Sequence, residues 1–229
     1  MNLTKMNKNI FVACDLSNQK EVLELLEKIK DEICGIKIGL QYISQRSPGD
    51  IRELSKFNKP IFYDGKFFDI NNTVVNSIKA LKGLNISYAT VHLLNGEETL
   101  TNAAVISKEL SIKLIGVSIL TSFSDHDLKK LGFLDNVEKQ VERLIKIADK
   151  ADLHGIVCSP HEVKVVKNIS KNLKCFTPGI RMSSEKHDQK RTMNAKEALD
   201  AGSDYLIIGR PITEGNPKEN IKNIINSLK

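Results

Sequence analysis

Residues 60–66 read Pro60-Ile61-Phe62-Tyr63-Asp64-Gly65-Lys66. The apolar part runs on without alternation and then breaks into charge. A strand with one wet face alternates, whereas a continuous apolar run marks a strand covered on both faces, as in a parallel sheet. Seven more runs of this kind occupy residues 10–15, 35–40, 88–94, 113–120, 155–159, 174–179 and 205–209. The stretches between them carry helical stripes: Val22, Leu25, Leu26, Ile29 and Ile33 in one, Val141, Leu144, Ile145, Ala148 and Ala151 in another. Ser159, Pro160 and Glu162 form an N-cap, an N1 proline and a capping box for the following helix. Asn216 and Pro217 open the last helix, whose stripe is Ile221, Ile224, Ile225 and Leu228.

Strand and helix alternate about eight times in 229 residues, which predicts an α/β fold, the (β/α)8 or TIM barrel. The competing open, doubly wound sheet needs a glycine-rich turn after its first strand. Cys14-Asp15-Leu16-Ser17-Asn18 has no G-x-G-x-x-G pattern. No Pro/Gly/Ser linker or charge block marks a seam, so residues 1–229 are expected to form one barrel domain.

Hydrophobic residues make up 41% and charged residues 27%, a balance that excludes wholesale disorder. No apolar run approaches the roughly 20 residues of a membrane helix. Residues 1–9 carry Lys5 and Lys8 without the apolar core of a signal peptide, so the expected setting is the cytoplasm, off the membrane. Cys14, Cys34, Cys158 and Cys175 show no C-x-x-C pairing and read as reduced thiols. The net charge of +6 suits nucleic acid or small anions equally. The lysines are spread along the chain, Trp is absent and aromatics are 5%, so a base-stacking platform is hard to build and no nucleic-acid partner is expected. The five histidines are dispersed and no Cys/His cluster has metal-ligand spacing.

In a barrel, chemistry sits at the C-terminal ends of the strands. Those ends carry Asp15, Lys37, Asp64-Gly65-Lys66-Phe67-Phe68-Asp69, Thr121-Ser122, Thr177-Pro178-Gly179-Ile180-Arg181 and Gly209-Arg210. Asp64 and Lys66, two apart on a strand, share a face. Lys37 on the neighbouring strand reaches the same point, and Asp69 follows just past the strand, giving an alternating Lys-Asp-Lys-Asp cluster. A purely structural ion-pair network is the bland alternative, but buried charge networks rarely repay their desolvation. After strands 7 and 8, where barrels often hold phosphate, Gly209 permits close backbone approach and Arg210 offers a planar fork. Arg181 and Gln189 lie on a polar loop, residues 181–191, long enough to fold over a ligand. The alternative for Gly-Arg-Pro is a simple strand-terminating turn.

The stretch Asp64-Gly65-Lys66-Phe67-Phe68-Asp69-Ile70-Asn71-Asn72-Thr73-Val74 resembles the D-x-K-F-x-D-I-x-N-T-V signature of the orotidine 5′-phosphate decarboxylases. The resemblance covers nearly the whole chain. It includes, in the family's order, Asp15, Lys37-Ile38-Gly39-Leu40, Leu120-Thr121-Ser122, Val157-Cys158-Ser159, Thr177-Pro178-Gly179-Ile180-Arg181, Asp188-Gln189-Lys190-Arg191 and Gly209-Arg210-Pro211-Ile212-Thr213. Three positions depart: Phe68 stands where the family usually has His, Asn71 where it has Pro, and Gly65 where it has an aliphatic residue.

The resemblance implies decarboxylation of orotidine 5′-phosphate to uridine 5′-phosphate in pyrimidine synthesis, with no metal and no cofactor. It implies Lys66 as proton donor, Asp64 beside the substrate carboxylate, and Asp64 and Asp69 orienting Lys66. Lys37 and Asp15 would bind the ribose, Thr121 the pyrimidine, and Arg181, Gln189, Gly209 and Arg210 the phosphate. It also implies a homodimer whose sites are shared, with Asp69 and Thr73 completing the partner's site. The rivals are magnesium-dependent sugar-phosphate decarboxylases or aldolases of the same superfamily, which tend to have an acidic residue at the position of Lys37, and a non-catalytic phosphate- or nucleic-acid-binding barrel. The second leaves Asp64, Lys66 and Asp69 unexplained.

Overall fold

The structure, a computed structural model, describes residues 9–181 and 193–228. Its eight strands are β1 (Ile10–Ala13), β2 (Gly35–Gly39), β3 (Ile61–Phe67), β4 (Ile86–His92), β5 (Lys113–Val117), β6 (Gly155–Val157), β7 (Lys174–Thr177) and β8 (Tyr205–Ile208). All are parallel and neighbour one another in chain order. β8 returns to β1 through Ile10↔Leu206 and Val12↔Ile208, closing the sheet. Helical segments follow each strand, so the chain is a (β/α)8 barrel. Among the described residues, no helix is long and apolar enough to cross a membrane.

The outer layer forms because each helix turns one apolar stripe to the sheet. Val22, Leu25, Leu26 and Ile29 are buried on the helix Gln19–Ile29. Val141, Leu144, Ile145 and Ala148 are buried on Val137–Lys150, and Ile221, Ile224 and Ile225 on Pro217–Ser227. The Ser159/Glu162 capping box closes a short 3-10 turn, Pro160–Glu162, which leads into the helix Val163–Ile169. The four cysteines are free thiols, and all but the half-buried Cys34 are buried.

Inside the barrel, the N-terminal half of the bore is filled by rings. Phe11, Phe62, Tyr88, Phe176 and Tyr205 meet at centroid distances of 4.7 to 5.9 Å, mostly edge-to-face, the arrangement ring quadrupoles favour. A Cβ on Gly35 would lie 2.2 Å from the Phe11 ring, so only glycine on β2 leaves that ring its place.

Two strands differ from the sequence expectation in ways that shape the mouth. β5 ends at Val117, so residues 118–121 form a loop and Thr121 sits beyond the strand. On β3, regular pairing with β4 stops at Tyr63↔Ala89 and resumes at Phe67↔Val91. Three residues of β3, Asp64, Gly65 and Lys66, thus face the single residue Thr90, and Lys66 takes a left-handed φ of 48°. Asp64 and Lys66 therefore come together through a bulge, which re-aims side chains, and not through the simple two-residue period of a flat strand. Gly65 is explained by the same feature: a Cβ there would lie 2.6 Å from the Tyr63 ring, which folds over the bulge and stacks on Phe67.

Candidate active site

The C-terminal mouth opens into a cavity of about 520 Å³. Asp15, Lys37, Asp64, Lys66, Thr121, Arg181, Gly209 and Arg210 all line it. Gln189 lies outside the described residues.

Four of these side chains form a continuous array of alternating charge. Lys37 Nζ stands 3.2 Å from Asp15 Oδ2 and 3.5 Å from Asp64 Oδ2. Lys66 Nζ donates to the same Asp64 oxygen at 2.8 Å. Lys37 and Asp64 are buried, Asp15 and Lys66 more open. Burial works against the charged form of Lys37, but the carboxylates of Asp64 and Asp15 more than offset it, so its pKa is raised. For Asp64 burial again opposes charge, and Lys37, Lys66 and the Thr90 hydroxyl together hold its pKa below the ordinary carboxylate value. Both groups stay ionised across neutral pH.

The expected Lys-Asp-Lys-Asp order is thus changed within one chain: the array runs Asp15–Lys37–Asp64–Lys66. Among the described residues no ion pair joins Asp69 to Lys66. The chain turns outward after the bulge, so that the Asp69 carboxylate accepts the Ile70 N–H at 2.7 Å while its own N–H donates to Asn95 Oδ1. Asp69 and Thr73 are exposed and outside the cavity, Thr73 on the helix Asn71–Lys79.

Three contributors were not singled out in the sequence. Gly39 makes room for the array: a Cβ there would lie 2.5 Å from Asp15 Oδ1 and 2.9 Å from Lys37 Nζ. Thr90, fully buried on β4, bonds both Asp64 and the Lys66 backbone. A hydroxyl inside the run Tyr88-Ala89-Thr90-Val91 was the available signal. Gln41 reaches the cavity from the turn after β2. Of the remaining departures, Phe68 packs its ring 5.2 Å from His92, and Asn71 accepts from Asn102 at 3.3 Å. Burial and Lys66 lower the pKa of His92. Burial and Asp15 push the neighbouring Cys14 thiol up to about 12, which keeps it inert. Among the described residues, no three His, Cys, Asp or Glu side chains gather into a metal site.

Comparison with known proteins agrees with this architecture. The family described as orotidine 5′-phosphate decarboxylase / HUMPS matches residues 8–224. The chain belongs to that family. Among its relatives, the orotidine 5′-phosphate decarboxylase of Wolbachia pipientis from Culex pipiens is 41% identical over 96% of this chain and 98% of its own. That of the Wolbachia of Brugia malayi is 42% identical over 94% and 96%. The crystal structure of the orotidine 5′-phosphate decarboxylase from Lactobacillus acidophilus superposes with a TM-score of 0.84 at 31% identity, covering 97% of this chain and 99% of its own. A protein of Geobacillus kaustophilus shares the fold at 23% identity, with a TM-score of 0.82.

Proposed function

We propose that this cavity converts orotidine 5′-phosphate to uridine 5′-phosphate and carbon dioxide, in the cytoplasm, without metal ion or organic cofactor, and that residues 1–229 act as one barrel domain. The family, its relatives and their shared length support the decarboxylation as a step of pyrimidine synthesis. The observation that carries the mechanism is the Asp15–Lys37–Asp64–Lys66 array at the mouth.

The chemical difficulty is the carbanion left on the pyrimidine ring when the carboxylate departs. Only a group that interacts more strongly with that charge than with the bound substrate accelerates the step. A fixed ammonium does so without reorganising at the moment of reaction. Lys66 is the cation at the open end of the array. It stabilises the developing charge and then donates its proton to the ring carbon. The buried, ionised Asp64 repels the substrate carboxylate before that group leaves as neutral carbon dioxide. Lys37 and Asp15 hold the ribose hydroxyls and Thr121 the pyrimidine. Arg181, Gln189, Gly209 and Arg210 hold the phosphate, whose remote binding energy favours the bound geometry.

The test is loss of orotidine 5′-phosphate absorbance, with and without chelator. Undiminished turnover in chelator is expected. Activity abolished by chelator and restored by magnesium would transfer the chain to the sugar-phosphate branch.

The same reading makes the enzyme a homodimer with shared sites, Asp69 and Thr73 serving the partner. The exposed Asp69 is flanked by Phe68, 60% exposed, and Ile70, 74% exposed, apolar surface suited to a subunit contact. Asp69→Ala and Lys66→Ala are each expected to be nearly inactive. After random subunit exchange, half the dimers are mixed with one intact site each, so about a quarter of wild-type activity returns. Demonstrated exchange with no recovery assigns Asp69 to its own subunit.

A further inference from the structure

Thr90 touches the two charged residues on either side of Gly65 at once. Its hydroxyl oxygen accepts the Lys66 backbone N–H at 2.8 Å, and its hydroxyl proton goes to Asp64 Oδ1 at 3.1 Å. It is fully buried, and it is the one residue of β4 opposite the three-residue bulge of β3. At that bulge the ladder has no regular backbone partner to offer, and Lys66 holds a left-handed φ that a lysine adopts only against a steric penalty. The hydroxyl supplies the missing acceptor. Its bond to Oδ1 leaves Oδ2, the other oxygen of Asp64, turned toward both ammonium groups, Lys66 at 2.8 Å and Lys37 at 3.5 Å.

We propose that Thr90 is a positioning residue for the reaction, holding the Lys66 backbone in its left-handed turn and the Asp64 carboxylate in one rotamer so that both charges meet the reacting carbon in register. The inference rests on the decarboxylase roles proposed for Lys66 and Asp64. Thr90 is not among the residues that line the cavity, so removing its hydroxyl is expected to affect the chemical step and spare binding.

Thr90→Val keeps the branched shape and the strand preference while deleting the oxygen. The expected result is a fall in kcat of about tenfold or more, with KM and the Kd for uridine 5′-phosphate within about threefold of wild type. Thr90→Ser, which restores the hydroxyl, is expected to return kcat to within about threefold of wild type. Should the valine variant not fold, Thr90→Ser against Thr90→Ala gives the same comparison of one oxygen. The proposal is overturned if the valine variant keeps wild-type kcat, if KM rises as far as kcat falls, or if serine is as damaged as the variant lacking oxygen. Wild type and Lys66→Ala are run beside them. A wild type without decarboxylase activity, or a Lys66→Ala enzyme that keeps its turnover, overturns the parent reading. With an active wild type and an inactive Lys66→Ala, a failure among the Thr90 variants overturns the role of Thr90 alone.

Discussion

The two ends of the barrel use the same strands for opposite purposes. At the N-terminal end β1 and β3 point Phe11 and Phe62 into the bore. Two residues further on, the same strands present Ala13 and Asp64 to the cavity. The strand period of two keeps both pairs on the inner face, so the chain passes from a ring-filled plug to a charged mouth within one turn of the pleat. The plug is held by dispersion and area burial, which depend on close fit but not on any one directional partner. The mouth is held by ion pairs whose desolvation is offset only when each charge keeps its partners. Accordingly Gly39 and Thr90 lie against the charges of the mouth, and Gly35 lies against the Phe11 ring of the plug.

The largest expected effect separates chemistry from scaffold. Lys66→Ala should lower kcat by about a thousandfold or more, the scale of losing a transition-state charge partner, and leave product affinity largely intact. Single-turnover decay and titration with uridine 5′-phosphate check this. Collapsed affinity with turnover within about tenfold of wild type would make Lys66 a binding residue. At the other end, Phe11→Ala should destabilise the fold by about 3–5 kcal/mol, read by denaturant melting, with kcat per folded molecule unchanged. A comparable loss of kcat per folded molecule would show that the two ends are coupled.

Arg210→Ala tests the rim of the mouth. A charge-assisted contact of about 1.5–3 kcal/mol should be lost, lowering kcat/KM at least about tenfold for the phosphorylated substrate and little for the nucleoside. Equal losses would mean that Arg210 does not meet the phosphate.

The smallest effect is in pH. Asp64 has a lowered pKa, so its contribution to stability is present above the unfolded carboxyl value and lost as pH falls through the folded one. Lys37 has a raised pKa, so its contribution is present below the unfolded amine value and lost as pH rises through the folded one. Between about pH 5 and 9 both are complete and these two groups leave the melting temperature flat. Asp64→Asn should flatten the acid side and, because Asp64 also raises the Lys37 pKa, weaken the alkaline side as well; an unchanged acid slope would show that Asp64 does not set it.

Much of this architecture was legible in the residue order because it is governed by local rules. Continuous apolar runs demand burial on both faces, and the stripes of Val22 to Ile29 and Val141 to Ala148 demand a sheet beneath them. Ser159 and Asn216 cap the helical segments that begin at Pro160 and Pro217. Charges at the ends of such runs, Lys37, Asp64, Lys66 and Arg210, sit where a barrel opens whatever else is true of the chain. Tertiary structure alone decided which charges meet. Asp15 and not Asp69 completes the array within one chain, because the bulge on β3 turns Lys66 inward and sends the following residues outward. Thr90 joins Asp64 and Lys66 from 26 and 24 positions away. The positions that Asp15 and Lys37 take use the space left by Gly39, where a Cβ would lie 2.5 Å from Asp15 Oδ1 and 2.9 Å from Lys37 Nζ. Contacts of that kind depend on the register between neighbouring strands, and register is set by closure of all eight strands together, which no single segment encodes.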